Sequence, residues 1–156
     1  MRIEEAIKQK APFRDNHQKM MVNLIYTYSW MIERSKRFFI NWELTPQQYN
    51  ILRILRGAER ILSTNDIRDR LLDKMSDTPR MVDRLILKNL VTKSLNRQDK
   101  RKVEIRITEK GLSILEEIDG VMPKLLSELH GLDPSEAEQL SNLLDKLRNN
   151  QNLTII

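Results

Sequence analysis

Cysteine is absent from this chain of 156 residues. Its absence excludes disulfide bonds and any switch that works by oxidation of a thiol. Only two histidines occur, His17 and His130, and neither belongs to a run with the spacing of metal ligands. No glycine-rich motif of the kinds that bind dinucleotides or nucleotide phosphates is present. Ser63 and Ser76 are better explained as helix caps than as nucleophiles. We therefore expect a protein that is not an enzyme and that uses neither a metal nor a cofactor.

Long apolar runs are also missing. No stretch approaches the length needed to cross a membrane, and the first residues, Met-Arg-Ile-Glu-Glu, do not form the hydrophobic core of a signal peptide. We therefore expect a cytoplasmic protein with no membrane partner. The length of 156 residues suits one domain with one sizeable core.

Basic residues are concentrated in one segment of the chain. Residues 63–107 contain 12 lysines and arginines but 7 aspartates and glutamates, and this difference equals the net charge of +5 of the whole chain. The remaining residues carry 15 charges of each sign, which cancel. A local positive excess of this kind is the electrostatic footprint expected of a surface that binds a polyanion.

The middle of the basic segment has the pattern of a short amphipathic helix. Ser76 is predicted to cap it, and Pro79 falls in the first turn, where a missing N–H costs little. Asn89 is predicted to end it in the left-handed conformation. At helical spacing, the inward face consists of Val82, Leu85 and Ile86. The outward positions are Asp77, Arg80, Met81, Arg84 and Lys88.

Two β-strands joined by a basic tip are predicted to follow this helix. Val103, Ile105 and Ile107 alternate with charged residues, which is the period of a half-buried strand. An α-helix fits the major groove of DNA, and arginine is the commonest reader of guanine there and also enters narrow minor grooves. The residues predicted to bind DNA are Ser76, Asp77, Thr78, Pro79, Arg80, Arg84, Arg97, Lys100, Arg101 and Lys102.

Two further helices are predicted upstream. Thr45-Pro46-Gln47-Gln48 and Ser63-Thr64-Asn65-Asp66 both have the composition of a helix start, with a capping residue in first place. Leu71 and Leu72 are expected to complete the inner face of the second helix, and Asp73–Met75 is expected to form a tight link to the basic helix. Two short helices joined in this way, the second bearing arginine, are typical of a helix-turn-helix.

Flanking helices suggest contact with a second subunit. From Asn16 onward, apolar residues fall on more than one side of a long predicted helix, and such a helix is buried on more than one side. In so small a chain this pattern predicts a dimer, whereas the alternative is the central helix of a monomer. Thr108 is expected to cap a helix that Gly120 and Pro123 bend or break, and Asp133-Pro134 to start the last helix.

These features together resemble the MarR family of winged helix-turn-helix regulators, from about Asn16 to the C-terminus. The resemblance is carried by the run Ser76–Leu90, by Asp99-x-Arg101 in the basic tip, or wing, and by Ile107-Thr108-Glu109-Lys110-Gly111. Two positions depart from the family pattern. Pro79 stands where threonine or serine is common, and Asn89 stands where glycine is common. The first departure removes one hydroxyl that can contact DNA.

The resemblance implies a mainly helical α+β fold, with a winged helix-turn-helix in residues 44–107 and dimerisation helices in residues 1–43 and 108–156. It also implies a homodimeric, sequence-specific transcription regulator, most often a repressor, that a small-molecule ligand releases from a palindromic operator on double-stranded DNA. Such a ligand would bind between the two modules. This sequence supplies Tyr26, Trp30 and Tyr49 as candidate walls for an aromatic effector.

Two alternatives remain open. The basic winged helix could dock an acidic protein partner without binding DNA specifically, and the three aromatic side chains could belong to the core. Salt dependence separates DNA binding from protein docking, because neutralising phosphates releases counterions and makes the affinity fall steeply with salt.

Overall fold

The computed structural model describes residues 1–96, 103–127 and 131–149. Within these residues the chain forms seven α-helices, one 3₁₀ turn and a two-stranded sheet. In chain order the elements are α1 (Ile3–Ala6), α2 (Asn16–Phe39), the 3₁₀ turn Ile40–Trp42, α3 (Pro46–Arg56), α4 (Thr64–Arg70), α5 (Thr78–Leu87), β1 (Val91–Leu95), β2 (Val103–Ile107), α6 (Glu109–Ser127) and α7 (Pro134–Arg148). The chain divides into two compact units, residues 1–117 and 118–156.

Side-chain caps begin the helices of the first unit. Asp15 accepts the backbone N–H of Gln18 at 2.8 Å and starts α2. Thr45 and Gln48 form the predicted capping box of α3, with bonds of 3.1 and 3.0 Å. Ser63 starts α4 by accepting the N–H of Asp66 at 3.2 Å. Each cap satisfies a donor that the first helical turn leaves unpaired.

The start of α5 differs from the prediction by one residue. Asp77, and not Ser76, is the cap, because its carboxylate accepts the backbone N–H of Arg80 at 3.2 Å. The Ser76 hydroxyl instead donates to Asp73 in the preceding link at 2.7 Å. Both residues are good caps, and the pairing of Ser76 with Asp73 leaves Asp77 to close the helix.

The link between α4 and α5 is also longer than predicted, since α4 ends at Arg70 and α5 begins at Thr78. Leu71 is buried, but Leu72 is 91% exposed, so the expectation that both leucines complete the inner face of α4 was wrong for Leu72. The reason is that neither leucine is helical, and consecutive side chains of an extended segment point in opposite directions.

The end of α5 follows the prediction. Asn89 has a positive φ of 59°, the left-handed conformation expected after a helix. Its N–H donates to the carbonyl of Ile86 at 2.8 Å, and the N–H of Leu90 donates to the carbonyl of Leu85 at 3.0 Å. These two bonds form a Schellman motif, which satisfies carbonyls that the last turn leaves unpaired.

The sheet is an antiparallel hairpin. β1 pairs with β2 in a register that places Val91 opposite Ile107 and Leu95 opposite Val103. Leu62, before α4, adds one bridge on the other side of β2, where the N–H of Ile105 donates to its carbonyl at 2.9 Å. Ile105 therefore connects the hairpin to the helix-turn-helix.

One apolar core joins α3, α4, α5 and the hairpin. The side chains buried there include Ile51, Leu52, Leu62, Ile67, Val82, Leu85, Leu90 and Ile105. Burial of an aliphatic side chain of this size contributes about 1.5–3 kcal/mol relative to leaving it exposed. This core fixes which side of α5 faces inward.

The helix α6 begins where the hairpin ends. The hydroxyl of Thr108 accepts the N–H of Gly111 at 3.0 Å, as predicted for a cap, and donates to the carbonyl of Asn89 at 2.8 Å. The helix runs through Gly120 and Pro123 without interruption, so the expected break does not occur. An internal proline removes one backbone donor, which the rest of a long helix tolerates.

The second unit contains the end of α6 and all of α7. Asp133 and Glu136 form the predicted capping box at the start of α7, with both bonds at 2.9 Å. Leu140, Leu143 and Leu147 follow at near-helical spacing and are exposed. Among the described helices, none has both the length and the apolar character needed to cross a membrane.

Candidate nucleic-acid interface

The outward face of α5 is the strongest candidate for a ligand-binding surface. Val82, Leu85 and Thr78 are buried on the inner side of this helix. The opposite side carries Pro79, Arg80, Asp83, Arg84 and Leu87, and all five are exposed. The last four follow the spacing i, i+3, i+4 and i+7, so they form one continuous stripe.

Arg80 and Arg84 are the cations of this stripe. They lie one helical turn apart, and both side chains are exposed. Neither forms an ion pair with another residue in the described part of the chain. Their guanidinium groups therefore remain available to a planar acceptor pair, such as a guanine edge or a phosphate.

The other predicted contacts of α5 are distributed differently. Asp77 and Pro79 are exposed near the first turn, and Ser76 is half-buried beside Asp73. Thr78 is fully buried, and its hydroxyl lies 3.4 Å from the carbonyl of Ser76. The structure thus brings Asp77, Pro79, Arg80 and Arg84 to one end and one side of the helix. It places the side chain of Thr78 in the core, which corrects the expectation that Thr78 lies on the binding surface.

The basic tip between the strands, with the predicted contacts Arg97, Lys100, Arg101 and Lys102, lies outside the described residues. The strands that lead to it carry Lys93 and Arg106, both exposed. Arg106 donates to Glu104 at 3.2 Å, and Asn96 donates to the same carboxylate at 2.6 Å. These bonds order the hairpin next to the tip.

Sequence reasoning missed two residues of this surface. Asp83 lies between the two arginines on the outward stripe, and the ammonium group of Lys93 on β1 is 3.7 Å from its carboxylate. The spacing contained the signal for Asp83, which is three residues after Arg80 and one before Arg84. Lys93 was not recognisable, because only the packing of α5 against the hairpin brings it near the helix.

The C-terminal end of α5 is held by cations from two directions. Lys88 donates to the carbonyl of Glu43 and lies 3.9 Å from its carboxylate. Lys110 on α6 donates to the carbonyl of Lys88 at 3.0 Å. Positive side chains are favourable at this end of a helix because the helix dipole is negative there. The contacts fix the angle at which the outward stripe is presented.

The start of α4 is held by an ion pair. Arg60 donates to Asp66 at 2.5 Å, and the hydroxyl and backbone N–H of Ser63 donate to its other oxygen at 2.6 and 2.8 Å. The hydrogen bond from Arg60, followed by those from Ser63, lowers the pKa of Asp66 below its ordinary value. This carboxylate thus joins the loop before α4 to its first turn, next to the Leu62 bridge.

The three aromatic candidates for an effector site do not lie together. Tyr26 and Trp30 line a cleft of about 210 Å³ between α1 and α2, together with Met1, Ile3, Ala6, Asn23 and Thr27. Tyr49 is instead buried and stacks on Phe39, with 4.4 Å between ring centroids. The structure therefore favours a core role for Tyr49 and leaves only the first two residues as walls of a cleft.

Two further features bear on partners and metals. The long helix α2 exposes a large apolar surface within the single chain, made of Met20, Met21, Leu24, Ile25, Tyr26, Tyr28 and Met31. His17 is exposed, and His130 lies outside the described residues. Across those described residues, acidic and histidine side chains form no group of three that could hold a metal ion.

Comparison with known proteins agrees with this geometry. A family model described as a winged helix DNA-binding domain matches residues 44–111. A MarR transcription factor from Planctomyces limnophilus is similar over 86% of this chain and 98% of its own, with 29% identity and a TM-score of 0.66. A mutant of E. coli MarR in complex with operator DNA is similar over 87% of this chain and 99% of its own, with 25% identity and a TM-score of 0.75.

A third similar structure is that of BpsR from Bordetella bronchiseptica, a protein whose DNA binding is regulated by 6-hydroxynicotinic acid. It covers 89% of this chain and 99% of its own, with 21% identity and a TM-score of 0.76. At this identity the likeness concerns the fold alone.

Proposed function

We propose that this chain is a winged-helix transcription regulator of the MarR family and that it acts as a homodimeric repressor. In this proposal it binds a palindromic operator through α5, and a small aromatic ligand releases it. DNA binding and transcription regulation are properties of the family. The homodimer, the repressor role, the two-fold operator and the ligand are the further parts proposed for this chain.

The observation that carries the proposal is the outward stripe of α5. Arg80 and Arg84 project from the side of the helix opposite the buried Val82 and Leu85, and both lack an ion-pair partner among the described residues. A helix of this width fits the major groove, where the residues near its N-terminus reach base edges. Arg80 is the third residue of α5 and is therefore the first candidate for a base contact.

The contacts at both ends of the helix support the same role. Asp77 closes the N-terminal end, while Lys88 and Lys110 hold the C-terminal end. A recognition helix must be held rigidly, because a small rotation would move the arginines away from the base edges. We include Ser76 and Asp77 in the proposed surface, together with the tip residues Arg97, Lys100, Arg101 and Lys102, which lie outside the described residues.

The homodimer is proposed from the exposed apolar side of α2. A large exposed apolar surface on a protein usually marks a site of contact with another protein. We assign residues 1–43 and 108–156 to dimerisation and residues 44–107 to DNA binding. A two-fold dimer presents two copies of α5, so each operator carries two half-sites in inverted orientation.

The ligand is proposed to bind in the cleft that Tyr26 and Trp30 line. Its volume of about 210 Å³ is below the roughly 300–1,000 Å³ of drug-sized sites, which favours a one-ring aromatic acid. The compound that regulates BpsR, 6-hydroxynicotinic acid, is a molecule of this size. Since DNA is the partner, the proposal also places the protein in the cytoplasm.

Selection of bound duplexes from a random DNA pool tests the DNA-binding part. We expect an inverted-repeat consensus and an affinity that falls steeply as salt is raised. A shallow salt dependence without any consensus would instead favour a winged helix that docks an acidic protein. Transcription in vitro from a promoter that overlaps the selected site then tests the sign of regulation, and a repressor lowers the amount of transcript.

Titration of the tryptophan fluorescence with 6-hydroxynicotinate and with salicylate tests the ligand. We expect saturable quenching that Trp30→Phe abolishes and Trp42→Phe preserves, since Trp42 lies outside the cleft and donates to Glu117. Binding must also weaken the operator affinity by the same factor by which the operator weakens ligand binding. A ligand that binds and leaves the operator affinity unchanged contradicts the proposed release.

A further inference from the structure

Asp83 lies at the centre of the proposed DNA-binding face, where a negative charge is unexpected. Its side chain is 61% exposed, and it stands on the outward stripe between Arg80 and Arg84. A carboxylate on a surface that approaches phosphates is repelled by them. An acid in this position therefore weakens binding to DNA in general, unless it makes a favourable contact of its own.

A nearby cation offsets part of the negative charge of Asp83 without forming a hydrogen bond to its carboxylate. The nearest cation is Lys93 of β1, with 3.7 Å between the ammonium nitrogen and the carboxylate oxygen. This separation exceeds that of a hydrogen bond, so both oxygens of Asp83 keep their capacity to accept. Lys93 offsets part of the negative charge and leaves the acceptor face open to a ligand.

The chemistry of the major groove determines which base suits such a group. An ionised carboxylate only accepts hydrogen bonds. The amino group of cytosine is the donor that aspartate and glutamate pair with, whereas guanine offers two acceptors that repel a carboxylate. Arg80 and Arg84 on either side have the opposite preference, because arginine donates to guanine.

We propose that Asp83 is a specificity-determining residue, which accepts a hydrogen bond from the amino group of a cytosine in each operator half-site. Lys93 is a positioning residue, because its positive charge weakens the repulsion between the Asp83 carboxylate and the phosphates of the DNA. The inference rests on the proposed function, because it requires α5 to lie in the major groove. According to this inference, the chain recognises its operator in two ways. Its arginines donate hydrogen bonds to the DNA, and Asp83 accepts one from the DNA.

The substitution Asp83→Asn gives the sharpest test, because it changes donors and acceptors but keeps the shape. Asparagine pairs with the N6 and N7 positions of adenine. Random-pool selection with the variant should therefore replace cytosine by adenine at one position of each half-site and leave the other positions unchanged. The change in relative affinity for the two bases should be roughly five- to a hundredfold, as for other single base-pair replacements.

Three companion variants control for charge and for folding. Asp83→Ala should lose base preference at the same position. Lys93→Gln should weaken binding to every duplex and keep the cytosine preference. Glu116→Gln, on the exposed side of α6, removes the same charge elsewhere in the first unit and should leave the consensus unchanged. Thermal unfolding of each variant confirms that it is folded, as expected for exposed positions.

The outcomes separate this inference from the proposed function. If Asp83→Asn tightens binding to all duplexes and keeps the wild-type consensus, Asp83 only repels phosphates, and the inference is wrong while the proposed function stands. If the wild-type protein itself selects no consensus, both fail. The assignment is established if Asp83→Asn exchanges cytosine for adenine and if Lys93→Gln and Glu116→Gln behave as described.

Discussion

At the scale of single residues, the structure shows that polar partners decide which side chain carries which role. Ser76 and Asp77 are adjacent and chemically suited to the same cap, yet the bond from Ser76 to Asp73 leaves the cap to Asp77. In the same way, Asp83 lies 3.7 Å from Lys93, while neither Arg80 nor Arg84 forms an ion pair with another described residue. The type of a residue is therefore compatible with several roles, and its contacts in the folded chain determine which of them it has.

The first prediction concerns Arg80. Arg80→Ala should weaken operator binding by about 1–3 kcal/mol and relax the preference at one position per half-site, since a lost base contact removes both affinity and selectivity. Fluorescence anisotropy at one fixed salt concentration measures the affinity. Arg37→Ala, which removes an exposed arginine of α2 that pairs with Glu33, is the control. Equal effects of the two substitutions on every sequence would mean that Arg80 supplies charge alone.

The second prediction concerns acid stability. The hydrogen bond from Arg60 keeps the pKa of Asp66 below its ordinary value of 3.8 in the folded state. A lowered pKa contributes stability above the unfolded pKa, and this contribution is lost as the pH falls through the folded pKa. The free energy of unfolding should therefore be insensitive to Asp66 above about pH 5 and should decline below about pH 4.

Urea unfolding at a series of pH values measures this decline. Asp66→Asn should be less stable than wild type near neutral pH, with a smaller loss on acidification. Arg60→Ala should raise the pKa of Asp66 in the folded state, so the loss should be smaller and should be complete at a higher pH. Asp69→Asn, an exposed acid on the same helix, is the matched control. A wild-type curve that coincides with that of Asp66→Asn at every pH would contradict the assignment.

At the scale of elements, close packing joins α5, the hairpin and α6. Gly111, in the first turn of α6, is buried, and an added Cβ would lie 2.5 Å from the carbonyl of Leu90 and 2.7 Å from the side chain of Ile107. Thr108 bonds to Asn89 just beside it. The motif Ile107-Thr108-x-x-Gly111 is thus the point at which the end of α5 packs against the start of α6.

The third prediction follows from this joint. Gly111→Ala should destabilise the fold by about 1–3 kcal/mol, because the backbone of Leu90 has to move to admit the methyl group. Gly120→Ala is the control within the same helix, since nothing lies within 4 Å of an added Cβ there. It should stabilise by up to about 1 kcal/mol through helix propensity. Thermal and urea unfolding measure both, and equal effects of the two substitutions would contradict the packing argument.

At the scale of the whole molecule, the exposed apolar residues of α2 exceed what a single small domain keeps in water. They lie on a helix of 24 residues, and its only buried side chain in the single chain is Phe39. Burial of this surface against a second copy of the chain would explain why the helix is apolar on more than one side. In the proposed dimer, this interface would also set the distance between the two copies of α5 and hence between the two half-sites.

The fourth prediction is that the protein is a dimer at micromolar concentration, with a total interface above roughly 2,000 Å². Ile25→Glu should shift it to the monomer, because a charge in such an interface loses its hydration without gaining a partner. Light scattering measures the mass. Leu72→Glu, at a more exposed leucine away from α2, should leave the dimer intact. A wild-type protein with the mass of one chain would contradict the prediction.

Operator geometry provides the fifth prediction. The centres of the two half-sites should be about 10 base pairs apart, because a two-fold dimer places its recognition helices in successive major grooves. Insertion of five base pairs between the half-sites rotates one of them by about half a turn and should reduce binding to that of a single half-site. Insertion of ten base pairs restores the face of the DNA helix but doubles the distance between the half-sites, so a rigid dimer should bind this duplex no better than a single half-site. A consensus that tolerates both insertions would argue against a rigid dimer.

Features that depend on neighbours a few residues apart could be predicted from the sequence alone. The caps at Thr45, Ser63 and Asp133 were predicted correctly because each closes a hydrogen bond to a residue three positions away. The left-handed turn at Asn89 and the strand alternation around Ile105 were recognised for the same reason. The concentration of positive charge in residues 63–107 follows from the numbers of charged residues in the sequence.

Features that depend on residues distant in the chain became visible only in the three-dimensional structure. It buried Thr78 and Tyr49, exposed Leu72, and brought Lys93 of the hairpin to Asp83 of α5. None of these outcomes has a local signal, because burial is set by which element packs on which face. The five outward residues of α5 became a surface in this way, since the core on its opposite side fixed the rotation of the helix.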